Sequence, residues 1–188
     1  MIGFLSRIIL RIFGWHTSGA LPPGIRKAII IVAPHTSSWD FVIGRLTFWA
    51  SRVKIKVLIK KEVFVGPFGW FLKRMGSLPV DRGKNNHLIE QLAALYNESD
   101  SLVVVITPEG TRRMAKQWKK GFYMLAMAAN VPIALAYIDY REKSGGIGPI
   151  LYPTGDYNQD MEFIQDFYRN KTAKHPEFFN LSPQIPKK

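Results

Sequence analysis

A histidine and an aspartate five positions apart, His35 and Asp40, stand in the run Pro34-His35-Thr36-Ser37-Ser38-Trp39-Asp40-Phe41. An imidazole oriented and made more basic by a carboxylate is a general base working near neutral pH. Two residues five apart on one ideal helix diverge by about 140°. The two side chains can therefore meet only if His35 lies outside the helix, in a turn, with Asp40 reaching back from the helix's first turn. Such a pair arises by chance about 0.15 times in a chain of this composition, so alone it identifies nothing. The competing reading has His35 capping a strand end while Asp40 stabilises a helix N-terminus.

The surrounding sequence supplies the elements. Ala28 to Ala33 is an apolar, β-branched run that reads as a buried strand ended by Pro34. Thr36 or Ser37 can cap a helix from about Ser37 to Ser51. Lys56 to Lys60 reads as a second strand. A turn and short helix over Gly66 to Met75 follow, then an extended segment from Ser77 to Val80. Asn85 to Glu98 has helical spacing, and Leu102 to Ile106 is the clearest buried strand. Phe122 to Asn130 is helical with Asn130 as C-cap, Ile133 to Ile138 is a strand, and Asp160 to Arg169 is a final helix. Gly14 to Gly24 reads as a connection. Strands alternating with helices predict a single α/β domain, its mixed and mostly parallel sheet flanked by helices. Sites in such sheets lie at the strand C-terminal ends.

The strand Leu102–Ile106 runs into Thr107-Pro108-Glu109-Gly110-Thr111-Arg112-Arg113, where Pro-Glu-Gly is a turn. If this strand and Ala28–Ala33 are central and parallel, both motifs share one rim of the sheet. Arg112 would offer that rim a planar, permanently charged fork for phosphate oxygens, or brace the turn by pairing with Glu109.

The chain has 188 residues, enough for one domain with a sizeable core. With no cysteine, thiolate metal sites, disulfides and cysteine nucleophiles are excluded. The formal charge of +12 implies an anionic partner: nucleic acid, a membrane surface or a phosphorylated substrate. Nine basic residues fall between Arg52 and Lys84 against two acids, Glu62 and Asp81, so the positive field belongs to the middle of the chain. No apolar run reaches the roughly 20 residues of a spanning helix. The first fifteen residues form an amphipathic helix with Arg7 and Arg11 on one face. It reads either as an interfacial helix lying among lipid headgroups, with Trp15 at its end, or as a helix docked on the protein's own core. It lacks the pattern of a signal peptide. The expected organisation is a membrane-associating helix over 1–15 and a catalytic domain over 16–188. An aromatic cluster of Phe64, Phe68, Trp70 and Phe71 is expected in the core by default, with an acyl groove or a bilayer contact as alternatives.

His-x4-Asp followed by Pro-Glu-Gly-Thr-Arg resembles the glycerolipid acyltransferases, the 1-acylglycerol-3-phosphate acyltransferase superfamily. The segments Gly69–Arg82 and Val131–Ala136 look like two further blocks of that family, and the resemblance runs from about Ile29 to Tyr137. The chain departs from the family's usual pattern at Pro34, where Asn is common, and at Arg113, where Ser is common. The resemblance implies O-acyl transfer from acyl-CoA or acyl-carrier protein to the hydroxyl of a lysophospholipid. These donors are co-substrates, and neither cofactor nor metal is implied. His35 would be the base and Asp40 its orienting carboxylate, with acceptor binding assigned to Glu109, Gly110, Thr111 and Arg112. Arg82, Lys60 and Lys61 join as further phosphate ligands or stand as ordinary solvated charges. Backbone N–H groups at Ser37 and Ser38 are the candidate oxyanion donors. The implied setting is the cytoplasmic face of the cell membrane, with the phospholipid surface as partner and no nucleic acid.

Four other readings compete. The acceptor could be a lysolipid without phosphate, such as a lyso-amino-acid lipid. A thioesterase would use Ser37 or Ser38 as nucleophile, against which stands the missing Gly-x-Ser-x-Gly elbow. A nucleic-acid-binding module would explain the charge and aromatics but leaves the His/Asp pair without a role. A lipid-binding protein that keeps the fold without turnover is the fourth.

Overall fold

The computed structural model describes residues 1–74, 76–80 and 85–182. Among these residues seven strands form one sheet: β1 His16–Ser18, β2 Lys27–Ala33, β3 Lys56–Lys60, β4 Ser77–Val80, β5 Leu102–Ile106, β6 Ile133–Asp139 and β7 Ser144–Leu151. Their order is β1-β7-β6-β2-β5-β3-β4. The pairs from β6 through β2, β5 and β3 to β4 are parallel, and β7 runs antiparallel to β6 with β1 parallel beside it. This is the expected α/β sheet, parallel except where β7 joins it.

Among the described residues six α-helices flank the sheet: α1 Ile2–Ile12, α2 Trp39–Ala50, α3 Gly66–Arg74, α4 Asn85–Glu98, α5 Gly121–Ala129 and α6 Tyr157–Tyr168. Strand β2 is central, and Ala28 to Ala33 are all buried. A β-branched run without polar alternation is what a parallel strand covered on both faces requires. One core lies under α4, α5 and α6 and includes Ile29, Ile31, Tyr96, Trp118 and Tyr168. On the opposite face Ile30, Val32, Phe48 and Ala134 pack together, beside Leu10, Ile43, Ala50 and Ile138. Asn130 does end α5, in the left-handed conformation at φ 49°.

Two strands escaped the sequence reading. Strand β1 lies in the stretch read as a connection, and β7 carries Gly145, Gly146, Gly148 and Pro149, residue types that weaken a strand pattern. The glycines are required by close packing rather than by a turn. A Cβ on Gly146 would overlap the Ser18 carbonyl oxygen, and one on Gly148 would meet the Phe167 ring at 2.4 Å. Helix α6 also starts earlier than expected, because the Asp156 carboxylate accepts the N–H groups of Asn158 and Gln159 as its N-cap.

Helix α1 docks along α2. Leu10 is buried, and Arg7 donates from Nε and Nη2 to the Ala50 carbonyl at the end of α2, at 3.1 and 2.8 Å. The remaining face, with Ile2, Phe4, Leu5, Ile8 and Ile12, is exposed. The helix thus satisfies the docked reading on one side and leaves an apolar side uncovered. Among the described residues, no helix is long and apolar enough to cross a membrane. The aromatic cluster is not core. Phe68, Trp70 and Phe71 of α3 are exposed, and Phe64 is half-buried. A nine-residue helix beside the edge strand β4 has too little sheet beneath it to cover three large rings.

Candidate active site

Strands β2 and β5 are parallel neighbours in register, Ile31 opposite Ile106, so their C-terminal ends deliver both motifs to one rim. The chain leaves β2 through a cis Ala33–Pro34 peptide, and α2 begins only at Trp39. His35 therefore lies in the turn and Asp40 is the second residue of the helix. Their side chains meet, His35 Nδ1 to Asp40 Oδ2 at 3.3 Å.

Asp40 is nearly inaccessible, and its hydrogen bonds explain how a buried carboxylate stays charged. Oδ2 also accepts the backbone N–H groups of Thr36 and Ser37 at 2.7 and 2.8 Å. Oδ1 accepts the Tyr140 hydroxyl at 2.7 Å. Burial opposes the charge, but the bonds from His35, Tyr140 and the Ser37 backbone, with the field of His35, outweigh it and hold Asp40 below its ordinary value. A carboxylate so anchored fixes the imidazole tautomer and leaves Nε2 as the free base. Ser37 N–H, one of the two candidate oxyanion donors, is thus committed to Asp40.

The Glu-Gly-Thr-Arg turn divides its residues among three places. Glu109, expected at the acceptor, is only 4% exposed and lies behind the His35 turn. Its Oε1 accepts the His35 backbone N–H at 3.0 Å, and among the described residues Oε2 is buried without a hydrogen-bond partner. Burial is the leading cause of its rise from an ordinary 4.5 to about 7; the hydrogen bond from His35 and that residue's field oppose the rise, while the Asp40 charge adds to it. Gly110 has φ of +68°, a conformation that only glycine adopts readily, and faces the Lys119 side chain. Thr111 and Arg112 are exposed beyond it, and Arg112 Nη1 donates to Ser38 Oγ. Arg112 therefore binds the first motif's turn rather than pairing with Glu109.

Lys60 and Lys61 sit at the end of β3, which is parallel to β5 and ends on the same rim. Lys61 is exposed. Arg82 lies outside the described residues, as does the side chain of Lys60. No group of three or more His, Cys, Asp or Glu suited to a metal occurs among the described residues.

Two hollows flank the His35 turn. On one side a cavity of about 630 Å³ runs inward from His35 and Asp40 between α2, α4 and α5, past Phe48, Val57, Leu92, Val105 and Leu125. Its walls are mostly aliphatic and aromatic, with His35, Asp40, Arg45, Thr107 and Lys119 as the polar side chains among them. None of the four residues of the aromatic cluster lines it. On the other side an open pocket of about 450 Å³ is lined by Ser37, Ser38, Thr111, Arg112, Arg113 and His175 among others. Tyr140 and His175 were missed in sequence. They come from beyond the recognisable blocks, 100 and 139 residues from the groups they bond, and no local pattern marks either.

This α/β fold, with a His/Asp pair and a basic turn on one rim, defines a class of group-transfer domain. The family model described as Acyltransferase matches residues 16–138, and the chain belongs to that family, within the glycerolipid acyltransferase superfamily. It is 31% identical over 116 residues to the 1-acyl-sn-glycerol-3-phosphate acyltransferase of Saccharomyces cerevisiae, covering 57% of this chain and 37% of the yeast protein. It is 30% identical over 121 residues to that of Streptococcus pneumoniae, covering 63% of this chain and 44% of the other. The matches thus span less than half the length of these relatives. The fold is shared with the crystal structure of the 1-acyl-sn-glycerophosphate (LPA) acyltransferase, PlsC, from Thermotoga maritima, at a TM-score of 0.61 and 16% identity, covering 92% of this chain and 80% of that one.

Proposed function

We propose that this protein transfers a fatty acyl group from a thioester, acyl-CoA or acyl-carrier protein, to the hydroxyl of a lysophospholipid such as 1-acylglycerol-3-phosphate. The observation that carries this reading is the His35–Asp40 pair at the mouth of a deep apolar cavity. In this mechanism the acyl chain lies in the cavity and brings its thioester carbonyl to His35. Nε2 takes the acceptor's hydroxyl proton as the oxygen attacks the carbonyl carbon, a role worth about 10² to 10⁴ in rate. The tetrahedral intermediate then collapses, the C–S bond breaks, and the departing thiolate takes the proton from the imidazolium. Asp40 stabilises the imidazolium throughout. Arg112 pairs with the acceptor's phosphate.

Geometry disfavours the thioesterase. Ser37 Oγ accepts the Trp39 N–H and Ser38 Oγ takes Arg112, and no hydrogen bond among the described residues joins either to His35. The names of the curated relatives, two of them bacterial, support a phosphate-bearing acceptor over a lyso-amino-acid lipid.

The proposed setting is the cytoplasmic face of the cell membrane, held peripherally or monotopically. Residues 1–15 would be the membrane-associating helix and 16–188 the acyltransferase domain. The uncovered apolar face of α1, the exposed rings of α3 and the net positive charge support this, since anionic lipids attract such surfaces. The test is acyl transfer on mixed vesicles with both donors and a panel of lysolipids. His35→Ala should lose about 10² to 10⁴ in turnover while keeping its circular dichroism. Wild-type turnover in that variant would end the mechanism.

A further inference from the structure

The open pocket on the far side of the His35 turn has a wall that the family match does not include. Residues 172–182 cross the site and are pinned at several points. The His175 N–H donates to Thr36 Oγ1 at 3.1 Å, Tyr140 N–H donates to the Thr172 carbonyl, and Trp118 donates to the Ser182 hydroxyl and the Asn180 carbonyl. This segment brings His175 and Phe178 to face Arg112 and Arg113 across the pocket. Among the described residues no carboxylate lines it, and the nearby Glu177 is turned to His175 Nδ1 at 3.6 Å. Arg113 stands where the family often has serine, so this chain sets two guanidinium groups and an imidazole around one opening.

We propose that Arg113 and His175, together with Arg112, form a seat for a phosphomonoester, and that the C-terminal segment is thereby part of the substrate site. The inference rests on the acyl-transfer reading and adds two residues, Arg113 and His175, and the segment that carries His175 to it. The chemistry is specific. A phosphomonoester carries close to two negative charges at neutral pH and presents three terminal oxygens, enough for two planar forks and an imidazole donor together. A phosphodiester presents only two such oxygens and one charge, and so neutralises less of the positive charge gathered around the pocket. The position also fits. His35 lines the apolar cavity, and the next residues of the same turn, Thr36, Ser37 and Ser38, line this pocket, so a molecule anchored here by its phosphate can offer a hydroxyl or a thioester at the imidazole.

Two substrates could bring such a phosphate: the lysolipid acceptor through its headgroup, or acyl-CoA through its ribose 3′-phosphate. Kinetics on the full chain separates them. In Arg113→Ala and His175→Ala, the KM for the substrate whose phosphate sits here should rise about tenfold or more, since charged hydrogen bonds are lost. Turnover at saturation should fall by much less. If the KM for 1-acylglycerol-3-phosphate rises, with less discrimination against lysophosphatidylglycerol, the headgroup is the occupant. If the KM for acyl-CoA rises while that for acyl-carrier protein stays, the ribose phosphate is the occupant. His175→Gln, which keeps an N–H donor, should recover part of the loss.

Equilibrium titration with sn-glycerol 3-phosphate and with adenosine 3′,5′-bisphosphate tests the seat without turnover. Wild type should bind one of them, and the alanine variants should bind it about tenfold more weakly. Folded variants with unchanged KM values and unchanged titrations would overturn the proposal. Wild-type protein that binds either compound but transfers no acyl group would end the enzymatic reading and leave the seat standing.

Discussion

Glu109 makes a prediction that separates the structural use of its motif from any chemical one. Its carboxyl is buried behind the His35 turn with Oε1 on the His35 N–H and Oε2 without a hydrogen-bond partner among the described residues, and burial raises it from 4.5 to about 7. A carboxyl raised in the folded state binds its proton more tightly there than in the unfolded chain. Folding is therefore favoured most below about pH 4.5, and that advantage is lost as pH rises through 7, because the unfolded chain ionises first. Two and a half pH units at about 1.36 kcal/mol each come to about 3 kcal/mol, with full weight because the side chain is almost wholly buried.

Glu109→Gln removes the titration and keeps an oxygen to accept from His35. The extra amide hydrogens bring a penalty for unpaired polar atoms, but one that does not change with pH. Urea unfolding of both proteins between pH 4.5 and 8 isolates the term as a difference of differences. Wild type should lose about 3 kcal/mol relative to the glutamine variant across that window. Asp40 does not contaminate the result. Its value is lowered, so its contribution is present above 3.8 and disappears only as pH falls through its folded value, below the window. Curves that stay parallel from pH 4.5 to 8 would refute the reasoning and place the Glu109 carboxylate in contact with solvent or a cation.

Tyr140→Phe removes the only donor to Asp40 Oδ1 among the described residues. We expect a stability loss of about 1.5–3 kcal/mol and acid unfolding at higher pH, read by urea and pH titrations, since Asp40 loses a bond that lowers its value. Turnover should fall while both KM values stay, and a variant with wild-type acid sensitivity would refute the role. On the membrane side, Phe4→Ser with Ile12→Ser alters two α1 residues that are 71% and 74% exposed, so the fold should keep its thermal midpoint. Binding to anionic vesicles, measured by sedimentation, should weaken about tenfold or more; unchanged sedimentation would refute α1 as the contact.

Much of the fold was legible because its signals are local. The β-branched runs of β2 and β5 report burial on both faces, and their turns report where the chain leaves the sheet. Strand β7 was illegible because its glycines answer to packing against Ser18, Thr47 and Phe167, which are remote in sequence. The rings of α3 misled for a related reason. Aromatic composition favours the interior on average, but an edge helix exposes what its neighbours do not cover.

The same division runs through the site, at the scale of single oxygens. Asp40 Oδ2 is served entirely from within its motif, by His35, Thr36 and Ser37, and a spacing argument could anticipate that meeting. Oδ1 is served by Tyr140, a hundred residues away, and neither partner predicts the other. Glu109 Oε1 holds the His35 backbone across 74 residues. It shows how a residue quoted in a motif beside Arg112 can face away from where Arg112 points. A motif in sequence thus records which residues share a turn, while burial and long-range hydrogen bonds decide where each side chain goes. Here they send Glu109 beneath the His35 turn, Gly110 to the cavity wall, and Arg112 to the polar pocket, which is completed by a segment that no motif mentions.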